Sequence, residues 1–275
     1  MADWVPVEAD LDTIAERYDQ PLFELVEGRV PAFIFRSAYS ADHAASLVDR
    51  FYRRGLLFDP RLREGVGRVD VGTSMGSHGR DPDRFFQHAD QTNALFATLF
   101  DGCDNPVERI YRTVAGLAPG KQVKTAREAD GRLYGPAIFR TYYEERGHGP
   151  HTDTLWRDRV ENTPRSRYAI GRFEHQLSVV LCLQDSAQHP ESGQTFLYRQ
   201  RWTPAMQTGW NKTFHRDAQE QGIARVRVQL QPGDLYVFCS EYVHEVPHVQ
   251  GDKPRIVLAA FFAMSEEDGE IYGWS

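Results

Sequence analysis

Residues 224–239, ARVRVQLQPGDLYVFC, contain two apolar stretches separated by a turn and indicate a β fold. Apolar and polar residues alternate in the first stretch, and the second is almost continuously apolar, as in buried strands. Gln231-Pro232-Gly233-Asp234 lies between them and is typical of a tight turn, because proline presets one backbone angle and glycine permits the next. We therefore predict two strands joined as a hairpin.

The second half of the chain continues this pattern on both sides of the turn. From about residue 133 the spacing of apolar residues is that of strands separated by turns. The predicted strands are 137–143, 176–183, 195–198, 224–230, 234–239 and 255–263. Such a run of short strands is typical of an antiparallel β fold.

The first half has helical spacing instead. Ser40 can cap a helix whose apolar face is Ala44, Leu47, Val48 and Phe51. Two further helices are predicted to begin near Pro82 and at Pro106, because proline suits the first helical turn. Residues 65–80 are rich in glycine and predict a loop or a short hairpin.

Helices followed by antiparallel strands predict an α+β fold that is mainly β. The expected core is a double-stranded β-helix, the jelly roll also found in cupins, buttressed by the N-terminal helices. We expect a single domain over 1–275, with 1–132 as mainly helical support and 133–264 as the jelly-roll core. The segment 185–224 is expected to be an insertion that covers the site as a lid.

Composition argues against several classes of protein. The formal net charge is -7 and no block of lysine and arginine occurs, which argues against a nucleic-acid-binding protein. No apolar run reaches the ~18 residues of a membrane span, and the N-terminus does not resemble a signal peptide, so we expect a cytoplasmic protein. Cys103, Cys182 and Cys239 are expected to be reduced thiols.

His151-Thr152-Asp153 is the first candidate site. In a strand, residues two apart point to the same face, so His151 and Asp153 can bind one metal ion. His244 follows the predicted strand 234–239 and can return to the same place. Two imidazoles and one carboxylate can hold one face of a ferrous ion and leave the other positions free. His248 is an alternative to His244, but Pro247 interrupts a regular strand between them.

Arg255 is the second candidate, because it begins the last apolar strand. A fixed guanidinium there could hold a carboxylate by two parallel hydrogen bonds. Lys253 is an alternative, but it precedes Pro254 and lies outside the strand. An ordinary salt bridge at the start of a strand is the other interpretation of Arg255.

The order of these residues resembles the Fe(II)/2-oxoglutarate-dependent oxygenases over about 137–263. It comprises His151-x-Asp153, the strand Ser192-Gly193-Gln194-Thr195-Phe196, the Pro-Gly-Asp turn, His244-Glu-Val and Arg255. Residues 139–143, FRTYY, resemble the prolyl-hydroxylase-like branch. The resemblance implies that His151, Asp153 and His244 ligate iron, that Arg255 pairs with the far carboxylate of 2-oxoglutarate, and that Tyr142 helps to hold this co-substrate. It also implies a reaction that consumes O2 and 2-oxoglutarate, releases succinate and CO2, and oxidises an unactivated C–H bond.

Asp153 bears on the outcome of that reaction. Relatives that halogenate aliphatic carbons lack this carboxylate, which leaves a coordination position for chloride. Since Asp153 fills the position, the resemblance favours hydroxylation. Desaturation and cyclisation use the same ligands and remain alternatives.

A basic segment follows the metal motif and bears on the substrate. It contains Arg157, Arg159, Arg165, Arg167 and Arg172 in a chain that is acidic overall. The segment is either a solvated face or a lid that attracts an anionic substrate. Arg199 and Arg201 could add to such a lid, and Thr73, Ser74 and Met75 could form the opposite wall.

We therefore predict an enzyme that hydroxylates a small, carboxylate-bearing metabolite, either an amino-acid derivative or a natural-product intermediate. Two other classes are weighed against it. A jelly-roll binding protein without activity would not need the complete ligand set. A zinc hydrolase would need a nearby general base and would have no use for Arg255.

Overall fold

The computed structural model describes residues 4–57, 68–186, 192–204, 206 and 209–275. The strands within them are β1 (Val7–Glu8), β2 (Phe33–Phe35), β3 (Arg68–Val71), β4 (Gln122–Thr125), β5 (Ile138–Tyr142), β6 (His148–His151), β7 (His175–Gln184), β8 (Thr195–Arg201), β9 (Arg225–Val228), β10 (Leu235–Cys239), β11 (Tyr242–Val246), β12 (Arg255–Met264) and β13 (Glu270–Trp274). The α-helices are α1 (Leu11–Arg17), α2 (Pro21–Val26), α3 (Ala41–Arg53), α4 (Met75–His78), α5 (Pro82–Leu99), α6 (Pro106–Gly116), α7 (Leu155–Val160) and α8 (Phe214–Glu220). Short 3-10 helices lie at Pro164–Arg167, Ala169–Arg172 and Trp210–Lys212.

The strands form two sheets that pack face to face. The larger sheet has nine strands in the order β1-β2-β10-β7-β12-β13-β4, with β5 also paired to β12 and β3 paired to β5. The smaller sheet has four strands in the order β6-β11-β8-β9. An apolar layer fills the space between them, with Val180, Tyr236 and Phe238 from the larger sheet and Leu197 and Val228 from the smaller. The predicted mainly β jelly roll is confirmed.

The N-terminal helices cover the outer face of the larger sheet, as predicted. Helix α3 buries Ala44, Leu47, Val48 and Phe51 in the same cluster as outward-facing residues of β7 and β12. The Ser40 hydroxyl caps this helix by accepting a hydrogen bond from the backbone N–H of His43 at 3.3 Å. Helices α5 and α6 begin at Pro82 and Pro106. Apolar spacing and caps were therefore sufficient to locate all three helices.

The predicted hairpin around Gly233 is wrong. β9 pairs with β8 in the smaller sheet, whereas β10 pairs with β2 and β7 in the larger one. The turn therefore carries the chain from one sheet to the other. Asp234 holds it there, because its carboxylate accepts hydrogen bonds from Arg36 Nη1 at 2.6 Å and from the backbone N–H of Ser37 and Gln231 at 2.9 Å. Turn residues identify a change of direction, but pairing depends on which apolar faces meet.

The glycine-rich segment 65–80 also differs from its prediction as a loop or short hairpin. Residues 65–67 lie outside the described residues, and 68–71 form β3, which pairs with β5 and extends the larger sheet. Helix α4 begins at Met75, three residues after this strand. β3 was missed because it is short and carries charged residues on one face. That face brings Arg68 and Asp70 to the same side of the sheet as Arg140.

Two further structural expectations concern the cysteines and the membrane. Cys103, Cys182 and Cys239 are free thiols, and the last two are buried in the core. Among the described helices, none has both the length and the apolar character needed to cross a membrane.

Candidate metal centre and adjoining cavity

Two strands of the smaller sheet bring the predicted metal ligands together. His151 ends β6 and His244 lies in β11, and the two residues are direct partners in the antiparallel register of these strands. Asp153 follows His151 by two residues, and its Oδ2 lies 3.8 Å from His151 Nε2 and 3.6 Å from His244 Nε2. One ligand atom from each residue lies within 4.8 Å of the others. This is the donor set that suits a divalent iron, with one face of the ion protein-bound.

Backbone carbonyls orient both imidazole rings. His151 Nδ1 lies 2.8 Å from the carbonyl oxygen of Gly149, and His244 Nδ1 lies 2.9 Å from that of Tyr242. Because a carbonyl oxygen can only accept, each Nδ1 donates, and Nε2 is therefore the ring nitrogen that faces Asp153 and is available to a metal ion. The backbone of Asp153 is also tied down, since its N–H donates to the carbonyl of Ser240 at 2.9 Å.

The electrostatics favour the protonation states that a metal requires. Burial lowers the pKa of His151 well below its usual value, and the adjacent His244 lowers it further. Burial alone would raise the pKa of Asp153, but its interactions with His244 and His151 outweigh burial, and the net pKa lies below the usual value. A neutral His151 and an ionised Asp153 are the ligand forms that bind a divalent cation.

Two other histidines flank this cluster. The His148 ring stacks on His151 with 3.5 Å between ring centroids, and burial lowers its pKa to about 4. His248, the alternative third ligand, is exposed, and it is not part of the group of ligand atoms around Asp153. The structure therefore brings His244 to the centre and leaves His248 outside it.

Arg255 begins β12 in the larger sheet, opposite Tyr142 of β5. Arg255 is buried, and its guanidinium carbon lies 5.6 Å from the centre of the Tyr142 ring. Within the described part of the chain, the guanidinium forms no hydrogen bond or ion pair, although the Asp185 carboxylate is near enough to interact with it electrostatically. A buried cation without a paired anion is costly, so this position favours a carboxylate ligand. Lys253, the alternative, is exposed.

A cavity of about 270 Å³ adjoins Asp153. Its charged lining residues besides Asp153 are Arg68, Arg140, Arg157, Asp158 and Arg165, and Met75 and Gln176 also face it. Of the residues predicted to contact substrate, Arg157, Arg165, Ser74 and Met75 lie here. The cavity is thus a basic pocket next to the metal ligands.

The other predicted substrate residues lie elsewhere. Thr73 is buried and shares a 2.7 Å hydrogen bond with Thr92, and Arg199 is exposed on β8. Arg159 Nη1 donates to the backbone carbonyls of Gly171 and Phe173 at 3.1 and 2.5 Å. Arg201 donates to the carbonyl of Val26 and lies 3.4 Å from Glu241. These four side chains do not line the cavity beside Asp153.

Sequence reasoning missed two arginines of the cavity, Arg68 and Arg140. Arg140 is two residues before Tyr142 on β5, so both side chains occupy one face of the strand. That alternation was visible in residues 139–143, FRTYY, and could have identified Arg140. Arg68 could not have been placed in this way, because β3 itself was not predicted.

Comparison with known proteins gives one family and several similar folds. Residues 2–275 match the family described as carrier-protein-independent halogenase WelO5. No curated protein matches the chain. Among solved structures, an N-substituted L-amino acid dioxygenase from Burkholderia ambifaria AMMD is 16% identical, with a TM-score of 0.57 over 92% of this chain and 90% of that one. A second structure of that enzyme, in complex with alpha-KG, is 15% identical with a TM-score of 0.55 over the same shares. At these identities the structures show a shared fold.

Proposed function

The chain belongs to the family of the carrier-protein-independent halogenase WelO5, within the Fe(II)/2-oxoglutarate-dependent oxygenases, and we propose that it hydroxylates a small, carboxylate-bearing molecule. The observation that carries this proposal is the Asp153 carboxylate, 3.6 Å from His244 Nε2 and 3.8 Å from His151 Nε2. In the proposed reaction, 2-oxoglutarate, O2 and a C–H bond give succinate, CO2 and an alcohol. Bound iron and 2-oxoglutarate supply the oxidising power when present.

Asp153 supports hydroxylation although the family is named for a halogenase. Halogenating relatives lack this carboxylate, and a halide takes its coordination position. Here an ionised carboxylate lies beside the two imidazoles, so that Asp153 would fill this position. Desaturation and cyclisation need the same ligands and are distinguished by the mass of the product.

Arg255 is proposed to hold 2-oxoglutarate. Its guanidinium is buried beside Tyr142 and can form two parallel hydrogen bonds with the far carboxylate of this molecule. That contact would fix the distance and direction at which the other end of 2-oxoglutarate meets His151, Asp153 and His244. Tyr142 would pack along the co-substrate, because it lies between Arg255 and Arg68.

The substrate is proposed to be a free small molecule with a negative charge. The basic cavity beside Asp153 supports this charge, because Arg68, Arg140 and Arg157 raise the local concentration of anions. The family name specifies independence from a carrier protein, in agreement with a free substrate. N-substituted amino acids, the substrate class named for the structurally similar dioxygenase, are the first compounds to test.

One experiment tests the proposal as a whole. The protein is loaded with Fe(II) and 2-oxoglutarate without oxygen, and the weak visible charge-transfer band of the chelate is measured. It is then exposed to air with single compounds from a metabolite library in chloride-containing buffer, and succinate and product masses are determined. We expect the band, succinate release that depends on the compound, and products that gain one oxygen atom. Absence of both band and succinate would contradict the oxygenase, and chlorinated products would contradict hydroxylation.

A further inference from the structure

The cavity beside Asp153 contains more positive than negative charge. Its second carboxylate, Asp158, is already paired, since Oδ1 lies 2.9 Å from Arg165 Nη2 and accepts a 2.8 Å hydrogen bond from the Thr163 hydroxyl. Asp153 belongs to the metal centre. The lining carboxylates therefore leave Arg140 and Arg157 without a close ion-pair partner in this cavity.

Arg140 is the most deeply placed of these cations. It pairs in register with Asp70 of the edge strand β3 and with Val257 of β12, and its side chain lines the cavity. Its Nε is buried, and no hydrogen-bond acceptor reaches it in the part of the chain that the structure describes. Asp70 lies opposite Arg140 and balances part of its charge, but its Oδ2 is 3.0 Å from Arg68 Nη2 and its Oδ1 forms no hydrogen bond with the described residues. A buried guanidinium N–H without an acceptor favours an anionic ligand.

Arg140 is distinct from the position assigned to the co-substrate. Arg140 and Tyr142 are two residues apart on one face of β5, which separates their Cα atoms by about 7 Å. Arg255 lies beside Tyr142 on the neighbouring strand β12, whereas the residue beside Arg140 on that strand is Val257. The same sheet face thus presents three guanidinium groups: Arg68 and Arg255 flank Tyr142 on the neighbouring strands, and Arg140 lies two residues away along β5.

We propose that Arg140, with Arg68 and Arg157 at the rim, forms a second carboxylate-binding subsite that holds an organic ligand next to Asp153. This inference deepens the proposed function and rests on it for the reaction. The carboxylate has two possible sources, the substrate or the end of 2-oxoglutarate nearer the metal. In both cases a neutral analogue binds weakly, because an amide lacks the negative charge and the second acceptor oxygen with which a carboxylate pairs with the Arg140 guanidinium.

The first test is independent of iron. The melting temperature of the metal-free full chain is measured with sodium benzoate and, as the neutral match, with benzamide. The variants are Arg140→Gln, Arg140→Lys and the control Arg112→Gln, because Arg112 is exposed and pairs only with Glu108 of the same helix. We expect benzoate, but not benzamide, to raise the melting temperature of the wild type and of the control. Arg140→Gln should lose most of this rise, and Arg140→Lys should retain part of it.

The second test identifies the source of the carboxylate. 2-Oxoglutarate and pyruvate, which lacks the far carboxylate, are titrated into the anaerobic Fe(II) protein and followed by the charge-transfer band. Arg255→Gln should lower the affinity for 2-oxoglutarate and leave the affinity for pyruvate unchanged. If the near carboxylate binds the subsite, Arg140→Gln lowers the affinity for both keto acids by about tenfold or more. If the substrate binds it, both affinities are unchanged and benzoate still stabilises the protein loaded with Fe(II) and 2-oxoglutarate.

The subsite is overturned if Arg140→Gln matches Arg112→Gln in benzoate response and in the binding of both keto acids. Circular dichroism of each variant separates such a result from a loss of fold. Failure of the wild type to give a charge-transfer band would count against the proposed function instead. The benzoate comparison would then still decide whether the cavity binds carboxylates.

Discussion

His151 and His244 face each other as direct cross-strand partners of β6 and β11, with 4.1 Å between their ring centroids. Each ring is held in the same way, by the carbonyl of the residue two positions before it. The register of β11 shifts on both sides of His244, between Tyr242 and His244 against β8 and between His244 and Val246 against β6. Such irregularities change the direction of a side chain, and here they occur at His244, whose ring faces Asp153. Strands therefore position both imidazoles of the candidate metal centre, and the short segment after β6 positions Asp153.

Removal of one ligand should abolish metal binding without unfolding the protein. We expect His244→Ala and Asp153→Ala each to weaken anaerobic Co(II) or Fe(II) binding by more than about 100-fold and to stop succinate formation. His248→Ala is the matched control, because His248 is exposed and outside the cluster. Metal titration by absorbance checks this. Loss of binding in His248→Ala with retention in His244→Ala would show that the third ligand was assigned wrongly.

The metal-free protein should lose stability as the pH falls from about 6.5 to about 4. Burial lowers the pKa of His148 from 6.5 to about 4, so in this window the unfolded chain binds a proton that the folded chain excludes. The free energy of unfolding should therefore drop by about 2 kcal/mol between pH ~7 and pH ~5 through His148, and burial of His151 adds a loss of the same sign.

Urea denaturation in the presence of a chelator, at several pH values, checks this dependence. His148→Gln should reduce the pH-dependent loss of stability, whereas the same substitution at the exposed His248 should not. An equal pH dependence in the wild type and His148→Gln would contradict the assignment to His148.

The clustering of His151, Asp153 and His244 was predictable from sequence, and the cavity was only partly so. Strand parity placed His151 and Asp153 on one face, and the position of His244 after β10 brought it back to them. Pairing was less predictable, because a turn such as Gln231–Asp234 has the same residues whether it joins strands of one sheet or of two. Arg140 and Arg68 were missed for a related reason, since charged residues on a strand look like a solvated face until the opposing sheet is known. Arg159 differs in the opposite way: it was predicted to contact the substrate, but its guanidinium donates to backbone carbonyls.

Arg255 and Lys253 should differ sharply in their effect on 2-oxoglutarate. Arg255 is buried with no ion-pair partner among the described residues, and a charged hydrogen bond to it contributes about 1.5–3 kcal/mol. Arg255→Gln should therefore raise the Kd of 2-oxoglutarate by at least about tenfold. Lys253→Gln should change it less than about twofold, because Lys253 is exposed. The anaerobic charge-transfer titration measures both, and a larger effect at Lys253 would reverse the assignment.

Substitution of Arg157 should affect substrate binding, whereas substitution of Arg159 should affect the stability of the fold. Arg157 lines the cavity, so Arg157→Ala should raise the KM of an anionic substrate more than that of 2-oxoglutarate. Arg159 donates to two backbone carbonyls, so Arg159→Ala should lower the free energy of unfolding by about 2 kcal/mol with a smaller change in KM. Steady-state kinetics and urea denaturation of both variants check this. Equal kinetics for Arg157→Ala and the wild type would leave Arg157 as part of a solvated face.

Gly193 should control the position of the Arg255 side chain. A Cβ at Gly193 would lie 2.9 Å from Arg255 Cδ and 2.7 Å from the Ser186 hydroxyl, and the backbone φ there is +63°. Gly222 provides a matched control, since its φ is +64° but a Cβ there meets nothing within 4 Å. Both alanine variants should therefore have a similar backbone strain of about 1 kcal/mol. Only Gly193→Ala should also displace the Arg255 side chain and lower the affinity for 2-oxoglutarate. Urea denaturation measures the shared strain, and charge-transfer titration measures the difference. Equal 2-oxoglutarate affinities in the two variants would mean that Arg255 can move without loss of the co-substrate contact.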